Sequence, residues 1–203
     1  MNFFYPPQPI RLWPNSSFFK GQLNSDPNFT AEIKYNGWRL EIHTDPKALI
    51  FYNRHGTIIN IDSKLFEHKF KNIPTESVFD GELVNFRTKD VKNIIVLWDC
   101  MFWGGRDLRK LPLSERRSYL ASWQKAPKQL ETKTMGQVYR IRECKRDLVK
   151  FYDVVMSRND PLEEGIVIKD KKSLYEFSIK SKIETASWYK IKKPGDHTLV
   201  EDK

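Results

Sequence analysis

Short runs of alternating hydrophobic and polar residues cover most of the chain, which is the pattern of half-buried β-strands. Strands are predicted at residues 30–34, 38–43, 49–53, 77–86, 93–102, 165–169, 175–180 and 187–192. Apolar residues spaced three or four apart predict helices at 16–23, from a cap at Asp62 to Ile73, from a cap at Ser114 to about Gln124, and at 143–157. Mixed strands and helices predict an α+β domain.

The first thirty residues differ from the rest because they hold five prolines. Proline cannot donate a ladder hydrogen bond, so we expect this lead-in to be extended or irregular. Asn36-Gly37 predicts a tight turn between two strands, as in a hairpin, and Gly104-Gly105 predicts another turn. Residues 125–140 are polar and are expected to connect elements. No linker divides the chain, so residues 1–203 are predicted to form a single domain.

Charge adds a class of partner to this picture. The chain has 35 Lys and Arg against 26 Asp and Glu, a net charge of +9, which favours nucleic acid, a nucleotide or a membrane surface. A membrane span needs ~20 consecutive apolar residues, and no run approaches that length. The N-terminus lacks a secretory pattern, and the two cysteines form no CxxC motif. We therefore expect a protein of the cytoplasm, a nucleoid or a viral replication site that is neither secreted nor membrane-bound.

Five short segments place charged or aromatic residues at strand ends. They read EIKYNGWR at 32–39, FDGEL at 79–83, WD at 98–99, EEGIVIK at 163–169 and WYKIK at 188–192. Strand alternation puts Glu32 and Lys34 on one face of their strand, and Lys190 and Lys192 on one face of theirs. A lysine amine is a nucleophile when its neutral form is populated, which burial and nearby cations favour. Taken singly, each segment also has an ordinary explanation: solvated strand lysines, surface acids or a core tryptophan ring.

Together and in this order, the five segments resemble the motifs of the covalent nucleotidyltransferases. That superfamily comprises ATP-dependent DNA ligases, RNA ligases and mRNA capping guanylyltransferases. Its first motif is KxDGxR, and the later motifs match over residues 32–192. Glu32 before the lysine, FYNRHG at 51–56, and WGGRDL followed by PLSERR at 103–117 resemble the DNA-ligase branch. Lys169 and Arg106 resemble family positions less closely.

The resemblance implies an ATP-grasp-like adenylation domain of antiparallel sheets flanked by helices, with ATP and Mg²⁺ as cofactors. Lys34 would form a covalent lysyl-AMP. AMP would then pass to a 5′-phosphate at a nick, and a 3′-hydroxyl would displace it. The implied nucleotide contacts are Glu32 at the adenine edge, Ile33, Arg39 at the ribose, Arg54 at a phosphate, Glu82, Trp98 stacking on adenine, Val167, Lys190 and Lys192. Glu82 and Glu164 would bind the metal ion, which prefers carboxylate and phosphate oxygens.

Two departures from the family pattern keep alternatives open. Asn36 stands where the family has aspartate, which puts an orienting or metal-linked role in doubt. Family ligases continue into an OB-fold domain, whereas this chain ends eleven residues after Lys192, so no OB-fold domain is expected within it. The chain is then a fragment, a minimal protein, or one completed by a separate OB-fold or DNA-binding protein.

The expected substrate is nicked duplex DNA, sealed by a monomer in DNA repair, replication or recombination. One alternative is a nucleic-acid-binding module that keeps the fold with reduced or lost turnover. The other is an RNA ligase. The context of Glu32 and Arg54 argues against a capping relative that uses GTP.

Overall fold

A computed structural model describes residues 2–84, 93–127, 130, 136–158 and 160–194 of the chain. The described strands are β1 (Pro7–Arg11), β2 (Phe29–Tyr35), β3 (Trp38–Thr44), β4 (Leu49–Asn53), β5 (Val78–Val84), β6 (Ile94–Trp103), β7 (Arg106–Asp107), β8 (Gln137–Arg140), β9 (Glu143–Cys144), β10 (Glu163–Asp170) and β11 (Ile183–Lys192). The helices are a π-helix (Phe18–Leu23), α1 (Lys64–Phe70), α2 (Leu113–Trp123) and α3 (Leu148–Ser157). This arrangement confirms the predicted α+β class.

The strands form two sheets. The five-stranded sheet has the order β1-β11-β10-β2-β9, and the six-stranded sheet has the order β4-β3-β5-β6-β7 with β8 beside β6. Neighbouring strands are antiparallel except for the parallel pairs β1–β11 and β6–β8. One face of the five-stranded sheet packs on α3 and the π-helix, through residues such as Phe19, Ile33 and Val155. One face of the six-stranded sheet packs on α1 and α2, through residues such as Phe66 and Leu120.

The Asn36-Gly37 turn is present, but the hairpin prediction is wrong. β2 pairs with β10 and β9, while β3 pairs with β4 and β5, so the turn carries the chain from one sheet to the other. A Cβ atom on Gly37 would collide with the Leu83 carbonyl oxygen of β5. Glycine therefore allows the chain to cross close to the second sheet at this point.

Several predicted boundaries also need correction. α3 begins at Leu148 rather than at residue 143, because Glu143 and Cys144 pair with β2 as strand β9. The N-caps are Ser63 for α1 and Pro112 for α2, rather than Asp62 and Ser114.

Other differences concern strands at 125–140 and 175–180. β8 lies in the stretch that was expected to be only a connection. The local sequence does not predict this strand, because its pairing partner β6 is distant in sequence. The stretch 175–180 contributes an isolated bridge from Ser178 to Tyr5 in place of the predicted strand. The end of the strand predicted at 77–86, residues 85–86, lies outside the described residues.

Within the described ranges, no helix has the length and apolar character needed to cross a bilayer. Both cysteines are free thiols; Cys100 is buried and Cys144 is partly exposed.

Candidate active site

Alternate residues of β2, β10 and β11 form one polar face of the five-stranded sheet, here called the site face. Strand register sets its rows: Lys34 lies opposite Gly165, which lies opposite Lys192. The next row on this face contains Glu32, Val167 and Lys190, and the third contains Thr30, Lys169 and Trp188. The site face turns toward the six-stranded sheet, since the Lys169 amine lies 5.3 Å from the ring centroid of Trp98 on β6.

The two lysines of the first row form a cluster with Lys190 and Glu164, and we call this cluster the lysine rim: Lys34, Lys190, Lys192 and Glu164. The Glu164 carboxylate makes ion pairs with both Lys34 and Lys192. The register between β10 and β2 shifts between Glu163 and Gly165, and Glu164 is the residue passed over. A Cβ atom on Gly165 would collide with the Ile191 carbonyl oxygen, so glycine is required for β11 to pair closely here.

Positive charge is in excess at the lysine rim. Burial lowers the pKa of Lys190, and the neighbouring charges of Lys34 and Lys192 lower it further. Burial favours a higher pKa for Glu164, but Lys34 and Lys192 outweigh it and hold the pKa of this carboxyl below its usual value. One ionised carboxylate thus lies among three amines, an arrangement suited to a polyanionic ligand.

The space between the site face and the six-stranded sheet is here called the cleft. Glu82 lies on its far side, on β5, and is buried. Burial raises the pKa of Glu82 to about 7, while Lys34 and Arg39 oppose the shift and Glu164 adds to it. The charges of Glu82 and Glu164 therefore influence each other, and the shared metal site of these two residues stays a prediction. Within the described part of the chain, however, no group of three or more His, Cys, Asp or Glu side chains could hold a metal ion alone. A Mg²⁺ ion would fit here only with phosphate oxygens as additional ligands, which is its usual mode with nucleotides.

The inner end of the cleft holds a second group of charges, here called the closed network: Glu32, Lys169, Arg117 and Glu143. Lys169 approaches Glu32 to 2.6 Å, and Arg117 also pairs with Glu32. Arg117 reaches Glu143 at 2.6 Å and donates to the Trp98 carbonyl at 2.9 Å. Burial lowers the pKa of Lys169 to about 8, although the negative charge of Glu32 opposes the shift. The predicted contact of Glu32 with an adenine edge would therefore occur beside two cations.

Arg39 and Trp98 lie on the six-stranded sheet beside this network. The Arg39 guanidinium donates two hydrogen bonds to Asp80, at 2.9 and 2.5 Å, and one to the Pro7 carbonyl at 2.7 Å. Its Cζ atom is 5.5 Å from the Trp98 ring centroid. The indole N–H of Trp98 is buried and has no hydrogen-bond partner in the described structure. The predicted adenine stack on Trp98 and ribose contact of Arg39 remain predictions.

The remaining predicted nucleotide contacts are Ile33, Val167 and Arg54, and they differ in how close they lie to the site face. The Ile33 side chain belongs to the apolar core on the opposite face, so only its backbone adjoins the site face. Val167 is buried on the site face between Glu32 and Lys190. Arg54 is exposed after β4 and donates to His55 at 3.1 Å, rather than to a residue of the site face.

Asn36 ties the crossing turn to the segment before β10. Its backbone N–H donates to the Leu162 carbonyl at 2.8 Å, and its side-chain amide donates to the Pro161 carbonyl at 3.4 Å. An aspartate in this place could not donate the second bond, so the asparagine is compatible with the local geometry.

Arg117 is a site residue that the sequence did not predict, and Lys169 was predicted only as a weak match to a family position. The signal for Lys169 was its position at the end of EEGIVIK, two residues along the strand from Val167. Arg117 lies in PLSERR on a helix, and nothing in that pattern distinguishes it from Arg116. Only the packing of α2 against β6 shows that it binds Glu32.

The sequence also matches a family of known proteins. The model of the ATP dependent DNA ligase domain matches residues 84–192, which is more than half of the chain. The chain belongs to this family. It is 26% identical over 184 residues to the SPbeta prophage-derived DNA ligase-like protein LigB of Bacillus subtilis, covering 82% of this chain and 62% of that protein. It is 24% identical over 172 residues to the DNA ligase of Vaccinia virus, covering 72% of this chain and 29% of that protein.

The fold also matches a solved structure described as mycobacterial DNA ligase D complexed with ATP and MES. The TM-score is 0.64 at 17% identity, with 91% of this chain and 60% of that chain covered. The match confirms the predicted nucleotidyltransferase fold. The chain spans less than two thirds of the length of each of these proteins.

Proposed function

We propose that this chain is the catalytic unit of an ATP-dependent polynucleotide ligase, with Lys34 as the nucleophile. The observation that carries the proposal is the lysine rim, where Lys34 and Lys192 meet at Glu164 in a chain of this family. The Lys34 nitrogen would form a bond to the α-phosphorus of ATP. The bond from that phosphorus to the bridging oxygen would break, releasing pyrophosphate and leaving AMP on the lysine.

Lys34 must lose a proton before it can attack, because an ammonium group has no free electron pair. In the structure, the Lys34 amine makes an ion pair with Glu164. Binding of the nucleotide must therefore rearrange this contact, and Glu164 lies in position to accept the proton. Lys190 and Lys192 would meanwhile balance the phosphate charge.

ATP and Mg²⁺ are the proposed cofactors. The cationic rim supports a triphosphate, and the buried Glu82, whose pKa is raised in part by the charge of Glu164, supports a metal ion bound together with the phosphates. When bound, Mg²⁺ would neutralise phosphate charge. Glu82 would then be ionised, because a nearby divalent cation favours the carboxylate form.

Nicked duplex DNA is the proposed nucleic-acid substrate. The relatives described above are named as DNA ligases or a DNA ligase-like protein, which favours DNA over RNA. AMP would pass from Lys34 to the 5′-phosphate at the nick, and the neighbouring 3′-hydroxyl would then displace it. A cytoplasmic location, a monomeric state and a separate OB-fold or DNA-binding partner remain predictions.

The decisive experiment uses ATP and GTP labelled at the α-phosphate, with Mg²⁺ present. We expect acid-labile label on the wild-type protein from ATP, none from GTP, and none from ATP with Lys34→Ala. Lys20→Ala serves as the matched control, because Lys20 is exposed on the π-helix beyond the opposite face of the sheet.

The same preparation is then given nicked DNA and nicked RNA, with and without a pre-adenylated 5′ end. Sealing of DNA supports the proposal, and sealing of RNA alone assigns the chain to RNA ligation. If the wild type is not labelled and does not seal the pre-adenylated nick, the nucleic-acid-binding alternative replaces the proposal.

A further inference from the structure

The edge strand β1 extends the site face beyond β11. Arg11 lies opposite Lys190 in the parallel β1–β11 pair, so the two side chains project on the same side of the sheet. The next residue, Leu12, packs against the apolar cluster on the other side. The row that begins with Glu32, Val167 and Lys190 therefore continues to Arg11 on a fourth strand.

The Arg11 side chain is held by an aromatic ring and not by an acid. Its Cζ atom lies 4.8 Å from the ring centroid of Trp13, which is 60% exposed. Arg39 and Arg117 each pair with a carboxylate, but the Arg11 guanidinium has no ion-pair partner within the described ranges. A stacked guanidinium keeps its edge donors available for planar recognition of phosphate.

Arg11 adds to a rim that already has surplus positive charge. The Glu164 carboxylate is shared by Lys34 and Lys192. The negative charges of Glu184 and Glu164 favour a higher pKa for Lys190. Burial and the two lysines outweigh them, so the pKa of Lys190 lies below its usual value. A ligand that spans from Lys34 to Arg11 would thus need several negative charges in sequence.

The order of the strands gives this ligand a direction, if Lys34 attacks the α-phosphate as proposed above. Attacking and leaving atoms lie roughly in line during displacement at phosphorus. Lys34 lies on β2, and the sheet continues through β10 and β11 to β1. With the α-phosphate between the Lys34 and Lys192 amines, the leaving group points toward β11 and β1.

We infer that Arg11, supported by Trp13, binds the β- and γ-phosphates of ATP and stabilises the departing pyrophosphate. The role is confined to the first step, because pyrophosphate is absent from AMP transfer and sealing. This inference rests on the proposed function, but it concerns a residue outside the five motif segments.

The test measures each step separately in Arg11→Ala. We expect the kcat/KM for lysyl-AMP formation from ATP to fall at least tenfold, since one charged phosphate contact is lost. The pyrophosphate concentration needed to reverse lysyl-AMP to ATP should rise by a similar factor. AMP transfer from preformed lysyl-AMP to nicked DNA should stay within twofold of wild type. Arg11→Lys should recover part of the loss, and Lys20→Ala should behave as wild type.

Equilibrium binding of ATP and AMP provides a readout that does not depend on turnover. Arg11→Ala should weaken binding of ATP and leave binding of AMP unchanged. Equal binding of ATP by wild type and variant, with unchanged pyrophosphate dependence, would overturn the inference. A loss confined to AMP transfer or to sealing would also overturn it, because Arg11 would then contact nucleic acid. Absence of label on the wild type, by contrast, counts against Lys34 as nucleophile, and the ATP-binding comparison still decides the role of Arg11.

Discussion

The lysine rim and the closed network both include residues of β2 and β10, yet their charges are matched differently. Glu32 and Lys169 are 3% and 2% exposed, and both are paired within the closed network. In the lysine rim, the Lys34 and Lys192 side chains are 23% and 25% exposed and share the single carboxylate of Glu164. A buried charge is stable only when it is paired. A partly exposed charge is solvated by water and can remain incompletely paired until a ligand binds. The difference separates side chains that maintain the cleft from side chains that can act in it.

The largest expected effect comes from breaking the closed network with Arg117→Met. This change leaves Glu32, Glu143 and the Trp98 carbonyl without their shared donor. Removing one partner of a buried ion pair costs about 3–5 kcal/mol of unfolding free energy. Urea denaturation measures the loss.

Lys34→Met is the matched comparison in the lysine rim, where we expect a change within about 1 kcal/mol. A loss as large as that of Arg117→Met would mean that the rim is structural too. Adding Glu143→Gln to Arg117→Met should recover part of the stability, because Glu143 loses its ion pair with Arg117 whereas Glu32 keeps its pair with Lys169.

An intermediate effect on stability is expected from Glu41 on β3, a buried acid with a hydrogen-bond partner for only one of its two carboxylate oxygens. One carboxylate oxygen lies 2.6 Å from His43 Nε2, and the other has no partner within the described structure. Burial, and then the charge of Asp80, raise the pKa of Glu41 to about 9. Between its usual value of 4.5 and 9, the folded state holds a proton that the unfolded state has lost. Stability should therefore fall as pH rises through this window, by up to about 1.4 kcal/mol per unit.

Glu41→Gln should flatten this dependence, and denaturation between pH 7 and 8.5 is the measurement. His43 does not interfere in that range, because burial lowers its pKa to about 4 and it is neutral in both states. Glu115→Gln, an exposed change on α2, should leave the wild-type slope intact. An unchanged slope in Glu41→Gln would show that this buried acid is ionised in the folded protein.

The smallest effect is expected from Lys190→Met in the lysine rim. The lowered pKa of Lys190 means that its charged form is disfavoured in the folded protein. Removing that charge should leave the unfolding free energy unchanged, or raise it by up to about 1 kcal/mol, while ATP binding weakens. Thermal and chemical denaturation beside Lys182→Met, an exposed control before β11, would detect either result. A marked loss of unfolding free energy in Lys190→Met would show that the charge of Lys190 is stabilised in the folded protein, against this prediction.

Much of the site could be predicted because its residues lie on strands with a period of two. Glu32 and Lys34 were expected on one face, and so were Lys190 and Lys192; the register confirms both. The burial of Glu82 was harder to predict from the sequence, because an acidic residue at a strand end is usually exposed. Its burial follows from the approach of the two sheets, which no local pattern encodes.

The alternation along each strand, the turn at Asn36-Gly37 and the order of the five motif segments can be read from the amino-acid sequence, because they depend on neighbours in the chain. Three features depend on the folded arrangement: β2 and β3 enter different sheets, Arg117 pairs with Glu32, and Arg11 lies in the same row as Lys190. Each of these features depends on pairing between residues that are distant in sequence. Their physical cause is the pairing of strand edges and the need to match buried charge, which only the assembled fold can satisfy.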